Sequence, residues 1–425
     1  DDLFTNDDNA DAIVFGNLMD RSVSAQVGRE NAAELAYFGA NDIGGLEGRN
    51  FGVVFCDIQV QNDGEERSDN AIEAARYLIE TLGVPAILGP SSSGDTQAVY
   101  QAFSDTSTLI ISPSATSPAL TPLDGENPTD ENPGLLWRTA PPDDLQGRAI
   151  AADIRAVGSL RSSGTASANI AIIFQSGPYG EGLGTVLSNE LDVICPSPTC
   201  TVSLNPYDGD TQRNNAVTMI GNDGAVQEVV FISSDVAEVN SFLAAADTIT
   251  GYDTKQIFLT DSAAQAALEV PAGLEGQIRG SRPKPLETGE FAYGLFRAAY
   301  AARFGENPDQ LSFTAHSYDA AWMLVYGATW ALLQEGSLTG VNIAKGLRQL
   351  SSGEMLDVQP TSYNAIRSRF DAGTSVNIEG ASGALDYDPA IEETEGPVQI
   401  WTVEGGDVIS TCDKVAPDGD CVFEP

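Results

Sequence analysis

Short apolar runs and longer amphipathic stretches alternate along almost the whole chain. In the first part, the apolar runs predict strands, and stretches whose apolar residues recur every three or four positions predict helices. The predicted strands are 12–15, 51–55, 85–88 and 108–111, and the predicted helices are 25–41, 69–82 and 95–104. This alternation is typical of βαβ units and predicts a mostly parallel sheet.

A second series of the same kind follows residue 145. Its predicted helices are 145–157, 181–191 and 236–245, and its predicted strands are 169–174, 228–232 and 256–259. The sequence PKP at 283–285 then breaks the pattern, before predicted helices at 289–304, 312–334 and 341–350 and strand-like sequence at 384–387 and 398–403. Because no flexible Gly/Ser linker separates the two series, we expect two α/β lobes packed around a cleft. The spacing leaves open whether the helices after Pro285 return to the first lobe.

Two adjacent segments repeat one arrangement, an apolar run that enters a hydroxyl-rich turn before a helix. The first is VPAILG at 84–89, followed by PSSSGDT at 90–96, and the second is TLII at 108–111, followed by SPSATSPALT at 112–121. Such turns present backbone N–H groups and hydroxyls that bind a small anion such as a carboxylate. In an open α/β sheet, two such turns side by side mark the crevice where a ligand binds.

The chain of 425 residues is strongly acidic, with 21 Lys and Arg against 61 Asp and Glu and a formal net charge of −40. Nucleic acid and anionic lipid need a basic surface, so we expect neither as a partner. We interpret the charge as a solvated acidic surface, which suits an exported protein and saline surroundings. The acidic loop 122–134 lacks the spacing of a calcium loop, and we expect no metal and no cofactor.

No apolar run approaches the roughly 20 residues that span a bilayer. The sequence starts with Asp, which either a removed export signal or a trimmed chain explains. Cys195 and Cys200 enclose PSPT, and Cys412 and Cys421 enclose KVAPDGD. We expect two local disulfides and hence an oxidising compartment, with Cys56 as a buried thiol.

Several motifs in order resemble the leucine/isoleucine/valine-binding protein family, the type I periplasmic binding proteins that serve ABC transporters of branched-chain amino acids. They are ANDIGGLEG at 40–48, ILGPSSSGDTQ at 87–97, ISPSATSPALT at 111–121, RTAPPDDLQG at 138–147, YGEGL at 179–183 and GASGALDYD at 380–388. Together they cover the chain from about residue 12 to about residue 410.

The resemblance implies an α/β fold of two Rossmann-like lobes, each a mostly parallel sheet flanked by helices, joined by three hinge crossings. Lobe 1 would comprise 10–141 plus 283–372, and lobe 2 would comprise 142–282 plus 373–425. The crossings would fall near Pro141, Arg282 and Gly373.

The resemblance also implies a site for an amino acid. Ser93 and Thr116, with a backbone group of Ala115, would bind the ligand carboxylate, although these hydroxyls could instead only cap helices. Asp261 would bind the α-ammonium group, and its alternative role is a helix N-cap. Tyr179 would close over the ligand, its alternative being a packing role.

The sequence departs from the family near Val27 and at SSDV, 233–236, where the family often has aromatic residues. These departures put specificity for branched-chain ligands in doubt. Arg21 could face the pocket and favour an acidic or different ligand, or it could face solvent.

Two enzymatic interpretations are set aside. The segment 89–96 has the glycine spacing of a phosphate-binding loop, but Asp95 stands where that loop needs Lys and would repel a phosphate. A Ser-His-Asp hydrolase would need His316, the single histidine, and no G-x-S-x-G elbow accompanies it. We therefore expect a protein that is not an enzyme.

The resemblance implies an extracytoplasmic solute-binding protein of an ABC transporter, which binds a small amino acid-like ligand by hinge closure. We expect a monomer in the periplasm or another extracytoplasmic space, with or without a lipid anchor, and a permease of the inner membrane as partner. The alternative is the extracellular ligand-sensing domain of a receptor, including an amide or carboxylate sensor.

Overall fold

The computed structural model describes residues 2–4, 11–62, 65–125, 127–156, 168–197, 200–284 and 291–414. The chain divides into two compact units, each formed from more than one segment. Unit 1 comprises Asp1–Pro141 and Pro285–Glu395, and unit 2 comprises Pro142–Lys284 and Gly396–Pro425. Both are α/β units with a mostly parallel sheet flanked by helices, so the predicted fold class is confirmed.

Unit 1 contains a six-stranded sheet in the order β1-β3-β2-β4-β5-β6, in which only β1 is antiparallel to its neighbour. The strands are β1 (Asp2–Phe4), β2 (Ile13–Met19), β3 (Phe51–Asp57), β4 (Ala86–Leu88), β5 (Leu109–Ser112) and β6 (Leu136–Arg138). The helices between them are α1 (Ser24–Asp42), α2 (Arg67–Arg76, continued by the π-helix Tyr77–Leu82) and α3 (Ser93–Phe103).

Successive residues of a strand face opposite sides of the sheet, so each sheet buries two layers of apolar side chains. Phe15 of β2 belongs to a core cluster with Tyr37 of α1 and Trp322, whereas Leu18 of the same strand belongs to a second cluster with Leu78 and Val99. Unit 1 is therefore a sheet between two helical layers.

The C-terminal segment of unit 1 supplies one of these layers. Its elements are α8 (Phe291–Phe304), α9 (Thr314–Trp330, continued by the π-helix Ala331–Glu335), α10 (Gly340–Leu347), β12 (Glu354–Asp357), α11 (Tyr363–Asp371), β13 (Val376–Glu379), β14 (Tyr387–Asp388) and β15 (Glu393–Thr394). Every residue of α9 from Thr314 to Thr329 is buried, and α9 packs along α1. A helix buried on all sides is a core helix.

Unit 2 contains a seven-stranded sheet in the order β17-β16-β11-β10-β9-β7-β8, in which β16 and β17 run antiparallel to their neighbours. The strands are β7 (Asn169–Gln175), β8 (Thr201–Tyr207), β9 (Val226–Ile232), β10 (Gln256–Leu259), β11 (Ile278–Pro283), β16 (Val398–Glu404) and β17 (Asp407–Lys414). The helices are α4 (Asp143–Ala156), α5 (Pro178–Ile194), α6 (Gly209–Asn222) and α7 (Val236–Asp247).

The third boundary between the units differs from the prediction. The chain leaves unit 1 after Glu395, not near Gly373. The reason is local pairing, because β13 pairs in parallel with β12 and β14 pairs with β15, all within unit 1. Segment 373–395 therefore belongs to unit 1. The other two boundaries, after Pro141 and after Lys284, lie within two residues of the predicted positions.

The predicted disulfide between Cys195 and Cys200 is present, with 5.5 Å between the two Cα atoms. The pairing of Cys412 with Cys421 lies outside the described residues, because the description ends at residue 414. Cys56 is a buried free thiol, as predicted, and burial raises its pKa.

Among the helices of the described residues, none combines the length and the apolar character that crossing a membrane requires. Acidic residues outnumber basic ones about three to one, with 61 Asp and Glu against 21 Lys and Arg, so like charges repel across the surface. Mutual repulsion between like charges destabilises a compact state, and dissolved salt screens it.

We therefore predict that raising NaCl from about 0.02 M to about 0.5 M at pH 7.5 raises the unfolding midpoint by about 4 °C or more, equivalent to roughly 2–4 kcal/mol. Differential scanning calorimetry measures this shift. The control is the same series near the sequence pI of about 4.1, where the net charge vanishes and the rise should shrink. An equal rise at both pH values would contradict charge repulsion as the cause.

Candidate ligand-binding site

The two hydroxyl-rich turns of unit 1 lie side by side, because β4 and β5 are parallel neighbours in the sheet. Ser112 Oγ donates to the carbonyl oxygen of Pro90 at 2.6 Å, and Ser114 Oγ donates to that of Ser91 at 2.9 Å. The backbone N–H of Ser117 donates to Ser93 Oγ at 3.2 Å. The structure therefore places Ser93 against the turn that carries Thr116.

Gly89 allows the first turn to approach β2. Its φ is +95°, a conformation that favours glycine, and a Cβ there would lie 2.4 Å from the carbonyl oxygen of Leu18. Any other residue would push the turn away from the sheet. This position explains why the apolar run VPAILG ends in glycine.

The capping interactions at these turns are made by neighbours of the predicted residues. Ser92 is the N-cap of α3, and its side chain accepts from the N–H of Asp95. Ser117 caps the short 3-10 helix Pro118–Leu120. Neither Ser93 nor Thr116 is therefore a helix cap, which leaves their hydroxyls for another purpose.

Thr116 carries a buried hydroxyl that has no partner within the described part of the chain. Its side chain is 1% exposed, and none of the residues that the structure describes forms a hydrogen bond with Thr116 Oγ1. A buried polar group without a hydrogen bond costs about 1–3 kcal/mol. Among the hydroxyls of the two turns, that of Thr116 is therefore the one that would gain most from a hydrogen bond to a ligand oxygen.

Both backbone groups of Ala115 already have hydrogen-bond partners in unit 1. Its backbone N–H already donates to Ser112 Oγ at 3.1 Å, and its carbonyl oxygen accepts from Arg138 Nη1 at 3.2 Å. A carbonyl oxygen has two lone pairs, so this oxygen can accept one further hydrogen bond. The backbone group that Ala115 can contribute is thus its carbonyl and not its N–H.

In unit 2 the structure brings Tyr179 and Asp261 together. The Tyr179 hydroxyl is hydrogen-bonded to a carboxylate oxygen of Asp261 and, at 2.9 Å, to Thr260 Oγ1. Gln146 Nε2 lies 3.5 Å from the same carboxylate oxygen and 3.1 Å from Ser281 Oγ. Asp261 begins a 3-10 turn whose N-cap residue is Thr260, so its carboxylate is not a helix cap.

Burial and two carboxylates set the pKa of Tyr179. Burial raises the pKa of its hydroxyl well above the ordinary value, and the charges of Asp261 and Asp143 raise it further. The phenol therefore stays protonated and donates to the carboxylate. Asp143 is the fully buried first residue of α4.

Hydroxyls occupy the place where the family often has an aromatic side chain. Ser233 Oγ and Ser234 Oγ donate to Gln175 Oε1 at 3.1 and 3.4 Å, directly after β9. Ser262, which follows Asp261, donates its hydroxyl to the carbonyl oxygen of Ser233. The polar segment and the acidic residue are thus neighbours within unit 2.

Arg21, a candidate for facing the pocket, and Asp95, which lies in the segment with the glycine spacing of a phosphate-binding loop, both form ion pairs inside unit 1. Arg21 Nη2 donates to Glu30 Oε1 at 2.8 Å, and Arg21 Nε donates to Glu30 Oε2 at 3.0 Å. Asp95 accepts from Arg67 Nε at 2.6 Å and from Ser68 Oγ at 2.7 Å. Asp95 therefore ties α2 to α3, which is not the geometry of a phosphate-binding loop.

Gln146 and Thr260 contact Asp261 and Tyr179, but neither was identified as a site residue from the sequence. Gln146 lies in the segment RTAPPDDLQG, whose resemblance to the family motif is the signal that could have identified it. Nothing in the sequence pointed to Thr260 except its position directly before Asp261. Within the described residues no group of three or more His, Cys, Asp or Glu side chains is placed to hold a metal ion.

The family model described as Periplasmic binding protein matches residues 15–364. The chain belongs to this family, and its resemblance to the leucine/isoleucine/valine-binding proteins is confirmed. It is similar to the chemotactic signal transduction system substrate-binding protein BasB of Halobacterium salinarum, with 26% identity over 90% of this chain and 85% of BasB.

Two solved structures show the same fold at low identity. The leucine binding protein LivK of Thermotoga maritima has a TM-score of 0.71 and 17% identity, covering 95% of this chain and 98% of LivK. A solute-binding protein of an ABC transporter from R. palustris, in complex with benzoate, has a TM-score of 0.68 and 15% identity, covering 97% of this chain and 98% of that chain. The family is one of solute-binding proteins.

His316 lies in α9 and is buried, with its ring centroid 5.2 Å from that of Phe313. Burial and the charge of Arg29 lower its pKa from 6.5 to about 3. The folded protein therefore binds fewer protons at His316 than the unfolded chain between about pH 6.5 and pH 3. Stability from this group is present above pH 6.5 and is lost as the pH falls toward 3.

We predict that the imidazole of His316 stays neutral in folded protein from pH 7.5 to pH 4.5. Because it is the only histidine, its ring proton signals in NMR report this site directly. The unfolded chain in denaturant is the control and should titrate near pH 6.5. A titration near pH 6.5 in the folded protein would contradict the buried, neutral state.

Proposed function

We propose that this chain is an extracytoplasmic solute-binding protein that binds a small amino acid, or a closely related molecule, and changes no covalent bond. The observation that carries the proposal is the buried hydroxyl of Thr116, which has no hydrogen-bond partner among the described residues. Such a group is stabilised when a bound ligand supplies an acceptor.

The carboxylate of the ligand would bind to unit 1. A carboxylate can accept hydrogen bonds from the hydroxyls of Thr116 and Ser93, whose turns are held together by the Ser117–Ser93 contact. Hydrogen bonds to a charged acceptor contribute about 1.5–3 kcal/mol each. The neighbouring α3 also begins at this turn, and the N-terminal end of a helix favours negative charge.

The α-ammonium group of the ligand would bind to unit 2. Asp261 supplies the anion, and Tyr179 and Gln146 orient its carboxylate. The carbonyl oxygen of Ala115 is a further acceptor for the same group on the side of unit 1. Binding a zwitterion by its two ends requires both units, so we propose that the ligand closes the protein by rotation at the three chain crossings.

A micromolar Kd corresponds to about −8.2 kcal/mol. Two or three charge-assisted hydrogen bonds and the burial of a small side chain supply this after the entropic cost of association. Benzoate, the ligand of the similar R. palustris protein, has a carboxylate but no ammonium group. We therefore expect the acidic environment of Asp261 to favour an amino acid over an aromatic acid.

Transport is the role that we propose, with the permease of an ABC transporter as the partner of a monomeric binding protein in the periplasm or an equivalent space. A second role is sensing, since the similar protein BasB belongs to a chemotactic signal transduction system. Deletion of the gene separates the two. Loss of uptake of the radiolabelled ligand supports transport, and loss of taxis with normal uptake supports sensing.

We predict that replacing Thr116 with valine weakens binding of the ligand about tenfold or more, because one charge-assisted hydrogen bond is lost. The same change should leave the unfolding midpoint of the unliganded protein equal or higher, because valine has nearly the same shape and removes an unsatisfied hydroxyl. Isothermal titration of the unaltered protein with the twenty L-amino acids and with benzoate identifies the ligand that binds most tightly. Titration of Thr116→Val with that ligand then measures the loss of affinity.

Ser92→Ala is the matched control, because Ser92 caps α3 in the same turn. It should lower the unfolding midpoint, with a cost of about 1 kcal/mol, and should change affinity less than Thr116→Val does. If none of these compounds gives heat or shifts the unfolding midpoint, the proposed function is wrong. If Thr116→Val destabilises the unliganded protein and leaves affinity unchanged, the assignment of Thr116 is wrong.

A further inference from the structure

The guanidinium of Arg138 is buried directly beneath the Thr116 turn. Arg138 is the last residue of β6 and is 1% exposed. Its Nη1 donates to the carbonyl oxygens of Ala115 at 3.2 Å and of Ser117 at 2.8 Å. These carbonyls belong to the residues on either side of Thr116, so one side chain fixes the peptide group between Ala115 and Thr116 and the one that follows Ser117.

The other nitrogens of the guanidinium hold a second set of groups. Arg138 Nη2 donates to Thr121 Oγ1 at 2.8 Å and to Glu393 Oε1, and Nε donates to Glu393 Oε2 at 3.1 Å. The hydroxyl of Thr121 in turn donates to Glu393 Oε1 at 3.1 Å. The turn from Ala115 to Thr121 is thus held at both ends by the same ion pair.

Glu393 reaches this position from a distant part of the chain. It belongs to β15, 255 residues after Arg138, and both side chains are almost completely buried. A buried charge must be paired, so Arg138 and Glu393 depend on each other. The hydroxyl of Tyr387 also donates to the carbonyl oxygen of Arg138, at 2.6 Å, which fixes the backbone of the arginine.

We propose that Arg138 is a positioning residue for ligand binding, with Glu393 as its counterion. Arg138 holds the carbonyl groups of Ala115 and Ser117, the residues on either side of Thr116, so that the Thr116 hydroxyl has no partner among the described residues and remains available to a ligand carboxylate. This proposal rests on the ligand role proposed above for Thr116. Lysine cannot replace the arginine, because a single ammonium lacks the planar fork that reaches two carbonyls and a carboxylate together.

Hydrogen exchange tests the positioning without any ligand. In Arg138→Lys, amide exchange should become at least about tenfold faster at Ala115 and Ser117, whose N–H groups are bonded to Ser112 Oγ and Ser93 Oγ. Exchange along α1 should change less than threefold. Thr121→Val, which removes one of the acceptors of Arg138, should give a smaller increase at the same two amides.

Arg279→Lys is the matched control. Arg279 of unit 2 is largely buried, with its side chain 12% exposed, and is also paired with carboxylates, those of Asp153 and Glu228, but it belongs to the other unit. This variant should leave exchange at Ala115 and Ser117 unchanged. Unchanged exchange at these amides in Arg138→Lys would overturn the proposal, and so would an equal increase throughout unit 1, because it would show a purely structural role.

A second arm uses L-leucine as the probe in calorimetric titration. Arg138→Lys should raise the Kd at least about tenfold when Thr116 is present, and less than threefold in the Thr116→Val background, because Arg138 acts through Thr116. Equal effects in both backgrounds would overturn the proposal. If the unaltered protein does not bind L-leucine, L-leucine is excluded as ligand, and the exchange arm alone decides whether Arg138 positions the turn.

Discussion

The hydroxyl of Thr116 is buried and has no hydrogen-bond partner among the described residues, and the proposed ligand site depends on this constraint. Folding Thr116 into this state costs free energy, because its hydroxyl loses water and gains no protein partner among the described residues. The surrounding groups do not relieve that cost. Ser117 caps the short 3-10 helix Pro118–Leu120, Ser92 caps α3, and Ser93 accepts from the backbone N–H of Ser117. In the proposed function, a ligand carboxylate would supply the missing hydrogen bond at a turn that is already ordered.

The rest of unit 1 explains how the turn is kept in place. Parallel pairing of β4 with β5 brings the two turns together, and Gly89 lets the first of them approach β2. The Arg138–Glu393 pair holds the second turn from below. In unit 2, the Asp261 carboxylate accepts a hydrogen bond from the Tyr179 hydroxyl and lies 3.5 Å from Gln146 Nε2. Unit 1 thus carries hydroxyl groups at the Thr116 turn, and unit 2 carries the Asp261 carboxylate, which are the groups of the proposed ligand site.

Local patterns in the sequence predicted the alternation of strands and helices, the two turns, and the disulfide between Cys195 and Cys200, because each depends on residues close together in the chain. Features that depend on distant residues were not predicted. Segment 373–395 joins unit 1 through pairing of β13 with β12, and Glu393 meets Arg138 across 255 residues. Strand β8 was missed because its sequence, TVSLNPY, carries an asparagine and a proline and alternates weakly. The assignment of Asp261 and Tyr179 to the ligand stays a prediction, although the structure places the two side chains in contact.

The most direct test of the account is a crystal structure of the protein grown with the amino acid that binds it most tightly. We expect one carboxylate oxygen of that ligand within about 3 Å of Thr116 Oγ1 and its ammonium nitrogen within about 3 Å of an Asp261 carboxylate oxygen. A ligand bound elsewhere, with the Thr116 hydroxyl paired to the protein itself, would contradict the central claim.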